Sequence, residues 1–114
     1  MANVIVNMRV CGKTHKIVVK MREDGDMDIS IESDCPKVKA YGERLKTLSI
    51  VDITDLEASK VNTRDMRGDM SLTCLVPTGV MNAAWLEMGM LSKNMVKKIE
   101  KNDIVFVDDK GDLL

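Results

Sequence analysis

Three alternating segments confine the first third of this chain to one kind of architecture. In NVIVNMRV (3–10), Val4, Val6, Met8 and Val10 fall on one face. In HKIVVKM (15–21), Ile17, Val19 and Met21 do so, with Lys16 and Lys20 facing the other way. MDISIE (27–32) repeats the pattern through Met27, Ile29 and Ile31. A period of two puts successive side chains on opposite sides of a pleated strand, so each segment reads as a strand with one buried and one wet face. The intervals are short, and EDGD (23–26) is turn chemistry. Consecutive strands joined this tightly form an antiparallel meander.

The period then changes. In SDCPKVKAYGERLKTL, the positions Val38, Tyr41, Leu45 and Leu48 are spaced for one face of a helix, and Pro36 suits its first turn, where a missing N–H costs nothing. Residues 49–72 are polar and read as a connection with little regular structure, with Thr54 or Asn62 able to cap short helical turns. PTGVMNAAWLEMGMLS (77–92) predicts a second helix, its apolar stripe made by Val80, Met81, Ala84, Trp85, Met88 and Leu91. The same spacing makes Met88 and Met90 core positions sooner than a partner-binding groove. The tail, MVKKIE (95–100) and DIVFVD (103–108), reads as one or two further strands, pairing as a hairpin or adding to the sheet edge. Strands grouped first and helices later give an α+β fold, with two main helices packed on one face of the meander and a single domain over 1–114.

A chain of 114 residues can bury one core without disulfides. Its 17 basic and 18 acidic residues nearly cancel, and one Trp, one Tyr and one Phe leave little to stack on bases, so nucleic acid is not the expected partner. No apolar run approaches bilayer length, and MANVIVNMRV lacks the marks of a secretory signal, so the expected setting is cytoplasmic and away from membranes. The single His and the absence of a nucleophile elbow or P-loop pattern argue against a hydrolase or a nucleotide-binding enzyme. No complete catalytic motif is present.

What remains is an odd set of three cysteines, which a reducing compartment keeps as thiols. None lies inside an element. Cys11 interrupts the alternation in RVCGKTHK, between the first two strands and next to Gly12; Cys35 precedes Pro36 at the start of the first helix; Cys74, in TCLVPTG, lies just upstream of the second. A thiol at a helix N-terminus faces unpaired N–H groups and the positive end of the macrodipole, surroundings that favour a ligating or nucleophilic thiolate. Soft ligands of this kind suit zinc or an iron–sulfur cluster. The plain alternative is that each cysteine is a small buried hydrophobe, since no CxxC pair is present. A fourth ligand could come from His15, from Asp34 beside Cys35, or from Asp69 if the connection folds back. His15 could equally be a strand residue without a ligand, and Asp34 a helix cap.

Taken together, CGKTHKIVVKMREDGDMDISIESDC, the later isolated Cys74 and the Ala-containing apolar helix resemble the U-type scaffold proteins of iron–sulfur cluster assembly. The similarity spans about residues 8–90. It also extends to a group of small proteins from methanogens and anaerobic bacteria that share a Cys-Gly, Ser-Asp-Cys, Cys-x-Val-Pro layout. The resemblance implies that Cys11, Cys35 and Cys74 converge on a zinc ion or a nascent cluster. It also implies that a sulfur donor and a cluster-accepting protein are partners. The chain departs from the scaffold pattern at Lys13, where an acid is usual, at Thr73, where His is frequent, and in DCPKV, which replaces a Gly-Cys-Gly turn. These departures leave the fourth ligand open. The sequence thus predicts a small metal- or cluster-binding protein acting as scaffold, carrier or sensor. The alternatives are a metal-free interaction or regulatory module, working through its sheet edge or its Met-rich helix, and thiol chemistry at Cys35 alone.

Overall fold

A computed structural model describes residues 1–114. Strands β1 (Ala2–Met8), β2 (Lys13–Met21) and β3 (Met27–Ser33) pair antiparallel in sequence order. Helix α1 (Pro36–Arg44) follows, then a two-residue strand β4 (Thr47–Leu48) that pairs with Met27 and Asp28 of β3. Short helices α2 (Ile50–Thr54) and α3 (Arg64–Arg67) precede α4 (Val76–Glu87) and α5 (Lys93–Ile99). The fold is α+β: a four-stranded antiparallel sheet, with α4 laid across β1 and β2 and α1 across β3.

The register turns the alternation into cross-strand rows. On the inner face Ala2, Val19 and Ile29 form one row, Val4, Ile17 and Ile31 the next, and Val6, His15 and Ser33 the third. The first two rows are wholly apolar; the third carries two polar side chains at the end where β1 turns into β2. Sixteen buried residues make a single core cluster from these rows and the helix faces above them. Val38, Tyr41, Leu45 and Leu48 are all buried in it as the spacing predicts, although α1 stops at Arg44 and Leu48 reaches the core from β4. Tyr41 is completely buried, its hydroxyl donating to the Val61 carbonyl at 2.7 Å.

Close approach sets where α4 sits. Gly79 faces the sheet, and a Cβ there would run into the side chains of Val6 and Ile17. Pro77 lies in the first turn of α4, and Gly89, at φ 75°, follows its end. The connection is more ordered than its composition predicts. Ser49 and Asp52 close a reciprocal capping box on α2, and Thr63 caps α3, so the caps are Ser49 and Thr63 and not Thr54 or Asn62.

The C-terminal strands are absent. Residues 93–99 form α5, capped by the Ser92 hydroxyl, and residues 103–108 hold only one isolated bridge, Val107 to Leu113. Met95, Val96 and Ile99 have helical spacing and Ser92 supplies the cap, so MVKKIE is helical and not the expected strand. Val10 is also exposed, because β1 ends at Met8 and the turn begins two residues earlier than the alternation predicts. No helix is long and apolar enough to cross a membrane.

Candidate functional site

The third inner row is the foundation of the site. His15 is 1% exposed, yet one face of its ring is polar on purpose: Nδ1 lies 2.7 Å from Ser33 Oγ. Ser33 Oγ also accepts from the Cys35 N–H at 2.9 Å, which ties the imidazole to the first residue of the α1 cap. Cys35 is extended (φ −82°, ψ 120°), the conformation that a following proline imposes. The other imidazole nitrogen, Nε2, is buried with no hydrogen-bond partner. If Nδ1–H donates to Ser33, Nε2 presents a lone pair; if the hydroxyl donates to Nδ1, Nε2 carries the proton. Either way a buried polar atom is left unpaired, at a cost of about 1–3 kcal/mol. Burial, with the Lys13 charge acting in the same sense, holds the imidazole pKa below its ordinary value.

The other two cysteine loops meet at Met8, the last residue of β1. Its carbonyl lies 3.6 Å from Cys11 Sγ, and its thioether sulfur lies 3.4 Å from the N–H of Leu75, the neighbour of Cys74. Cys11 is exposed, in a turn whose Gly12 takes φ 69°. Cys35 and Cys74 are half-buried against the core. Burial is the main reason the Tyr41 hydroxyl titrates well above its ordinary range.

The three loop cysteines therefore emerge at one end of the sheet. Met8 pairs with Lys13, and His15 pairs with Val6 and Ser33, only two residues further along the strands, about 7 Å at the usual strand rise. All three are free thiols. His15 and Cys35 share Ser33 as a common partner. Asp34 is exposed and does not cap α1, and the α1 cap has no side-chain hydrogen bond at all. Nowhere in the chain do three or more His, Cys, Asp or Glu side chains gather closely enough to hold a metal ion between them.

Residues 2–99 match DUF6951, a family of unknown function. The chain belongs to that family. The match takes in every element from β1 to α5, with all three cysteines and His15, and ends before the apolar tail. No curated protein and no solved structure matches the chain.

Ser33 and Met8 are the members of the neighbourhood that sequence reasoning missed. Ser33 matters because β2 and β3 pair His15 with it, and Met8 because it ends a strand beside two loops. The signal available was Ser33 itself, a polar residue on the inner parity of β3 where Ile29 and Ile31 precede it.

Proposed function

We propose that this chain binds a soft metal, zinc or an iron–sulfur cluster, through Cys11, Cys35 and Cys74, with His15 as the fourth ligand. The observation that supports it best is the buried, partnerless Nε2 of His15 at the sheet end from which the three thiol loops emerge. An imidazole that ligates through one nitrogen donates its other N–H to an orienting group, and Ser33 is placed to be that group. The donor set fits: neutral imidazole and thiolate are the ligands zinc and iron–sulfur clusters take. Asp34 remains available to solvent as a substitute donor.

No three of these side chains lie close enough to share an ion, so ligation is coupled to drawing the three loops together. Cys11 has the most freedom to move, being exposed and next to a glycine with positive φ. Because the buried core cluster does not include the cysteines, the loops can part from a cargo while the core stays packed. That property suits a carrier or scaffold acting between a sulfur donor and a cluster acceptor in a reducing compartment such as the cytoplasm. The resemblance to U-type scaffolds supports the same reading.

Anaerobic purification, with metal and sulfide analysis of the wild type and of Cys11→Ser, Cys35→Ser and Cys74→Ser, tests the proposal. Stoichiometric metal in the wild type, lost in each variant, is the expected result, and His15→Gln is expected to weaken retention. Absence of metal from every preparation, including wild type reconstituted anaerobically with zinc or with iron and sulfide, overturns it.

A further inference from the structure

Two unsatisfied elements in this chain fit one another. β1 is an edge strand: it pairs only with β2, and its other row of backbone N–H and C=O groups is open. Its seven residues, ANVIVNM, contain no charge and no proline, the devices that normally protect such an edge. The second element is the tail. Every residue from 100 to 114 is exposed, including Ile104 (70%), Val105 (56%), Phe106 (62%) and Val107 (48%). Of the four consecutive strand-forming apolar residues between Asp103 and Asp108, only Val107 has a bridge, to Leu113 in the local turn, and the rest have no strand partner.

We propose that the chain forms a dimer by reciprocal strand addition, residues 103–108 of one copy pairing antiparallel with the open edge of β1 in a second copy. Six residues span about 20 Å, which β1 can accommodate along its length. Setting Ile104–Val107 against residues 7 to 4 gives each side chain a suitable neighbour. Val105 and Val107 extend the inner rows beside Val6 and Val4, under the helix layer. Phe106 lands on the outer face opposite Ile5, itself 56% exposed, as an aromatic and β-branched cross-strand pair. Asp103 comes opposite Met8, at the end of β1.

Direction selects a second copy over the chain's own edge. Glu87, at the end of α4, holds the Met21 N–H at 2.8 Å and the α-amino group at 3.0 Å. Helix α4 therefore ends at the start of β1, and Lys93 of α5 lies near the same carboxylate. A tail running directly from there along its own β1 would lie parallel to it, whereas every pair in this sheet is antiparallel, and within one copy residues 103–108 do not join the sheet. Around a two-fold axis that reverses β1, the partner's tail arrives antiparallel, and the two tails can lie side by side between the two β1 strands.

Light scattering on the full chain across a concentration series, with circular dichroism as a folding control, tests this. The wild type is expected to be a dimer. Val105→Pro in the tail and Ile5→Lys on β1 are each expected to raise the dimer dissociation constant about tenfold or more with unchanged dichroism. Ile5→Glu mixed with Phe106→Lys is expected to recover mixed dimers that neither variant forms alone. A wild type that stays monomeric to millimolar concentration overturns the proposal, as does a dimer that Val105→Pro leaves intact, or a monomer whose tail amides resist hydrogen exchange.

Discussion

Gly79 shows how narrowly one residue can fix the distance between layers. The helix rests on the sheet here with no side chain in between, against Val6 and Ile17, two buried branched residues that cannot swing aside. Alanine would add roughly 1 kcal/mol of helix propensity. It would also force a methyl group into packed space, for which overpacking costs are about 1–3 kcal/mol. Gly79→Ala is therefore expected to destabilise the fold by up to about 2 kcal/mol in urea titration. Gly42 is the informative contrast: a Cβ there meets Ile31 at 3.3 Å, a milder crowding, so Gly42→Ala is expected to be close to neutral. His15 belongs to the same scale. Its place on the inner face was legible from parity alone, since it continues the run of Ile17 and Val19, but its partner was not. The bond to Ser33 depends on how two strands align, and local sequence does not carry that alignment.

At the scale of elements, Asp52 turns the connection from a loose linker into structure. One carboxylate caps α2 through the Ser49 N–H at 2.9 Å, accepts from the Lys60 N–H at 3.1 Å, and pairs with the Lys60 ammonium at 2.7 Å. Burial works to raise its pKa, but the Lys60 side chain, the two backbone N–H groups and the Lys60 charge together hold it below the ordinary carboxylate value. A depressed folded-state pKa contributes stability that is present above about pH 3.9 and is lost as pH falls through the folded value. Asp52→Asn is expected to cost about 1–2 kcal/mol at pH 7, with half-exposed Lys60 contributing the smaller share, and to flatten the acid limb of a stability-against-pH curve. The Ser-x-x-Asp spacing was there to be read in SIVD, yet a polar segment with no periodicity hides a one-turn helix held by its cap. The meander and the existence of both long helices were legible because burial imposed a period on each, though α4 stops at Glu87 and leaves Trp85 and Met90 of the expected core stripe exposed. The tail misled for the opposite reason. DIVFVD has strand composition, but composition cannot supply the neighbour a strand needs, and within one copy the segment finds only the single bridge from Val107 to Leu113.

For the whole molecule, the proposed metal site and the proposed dimer are linkages that act on stability independently. The radius of gyration, 14.7 Å, exceeds the roughly 13 Å of a compact chain this long, in keeping with an α5 that has no fully buried residue and a tail that is exposed throughout. Pairing two copies would bury that surface, so the melting temperature of the full chain should rise with protein concentration. Metal binding draws on the thiol loops at the turn from β1 to β2, beside one end of the proposed seam, and its contribution follows metal concentration. Free ligand at a hundred times its dissociation constant adds about 2.7 kcal/mol, a rise on the order of 10 °C for a domain of this size. The two dependences should separate by variant. Val105→Pro is expected to lose the protein-concentration dependence and keep the metal response, while Cys35→Ser is expected to do the reverse. Calorimetric melting of the wild type and both variants, at two protein concentrations with and without zinc, reads both in one experiment. If a single variant abolishes both responses, the two sites are coupled, and metal binding and assembly must be treated as one event.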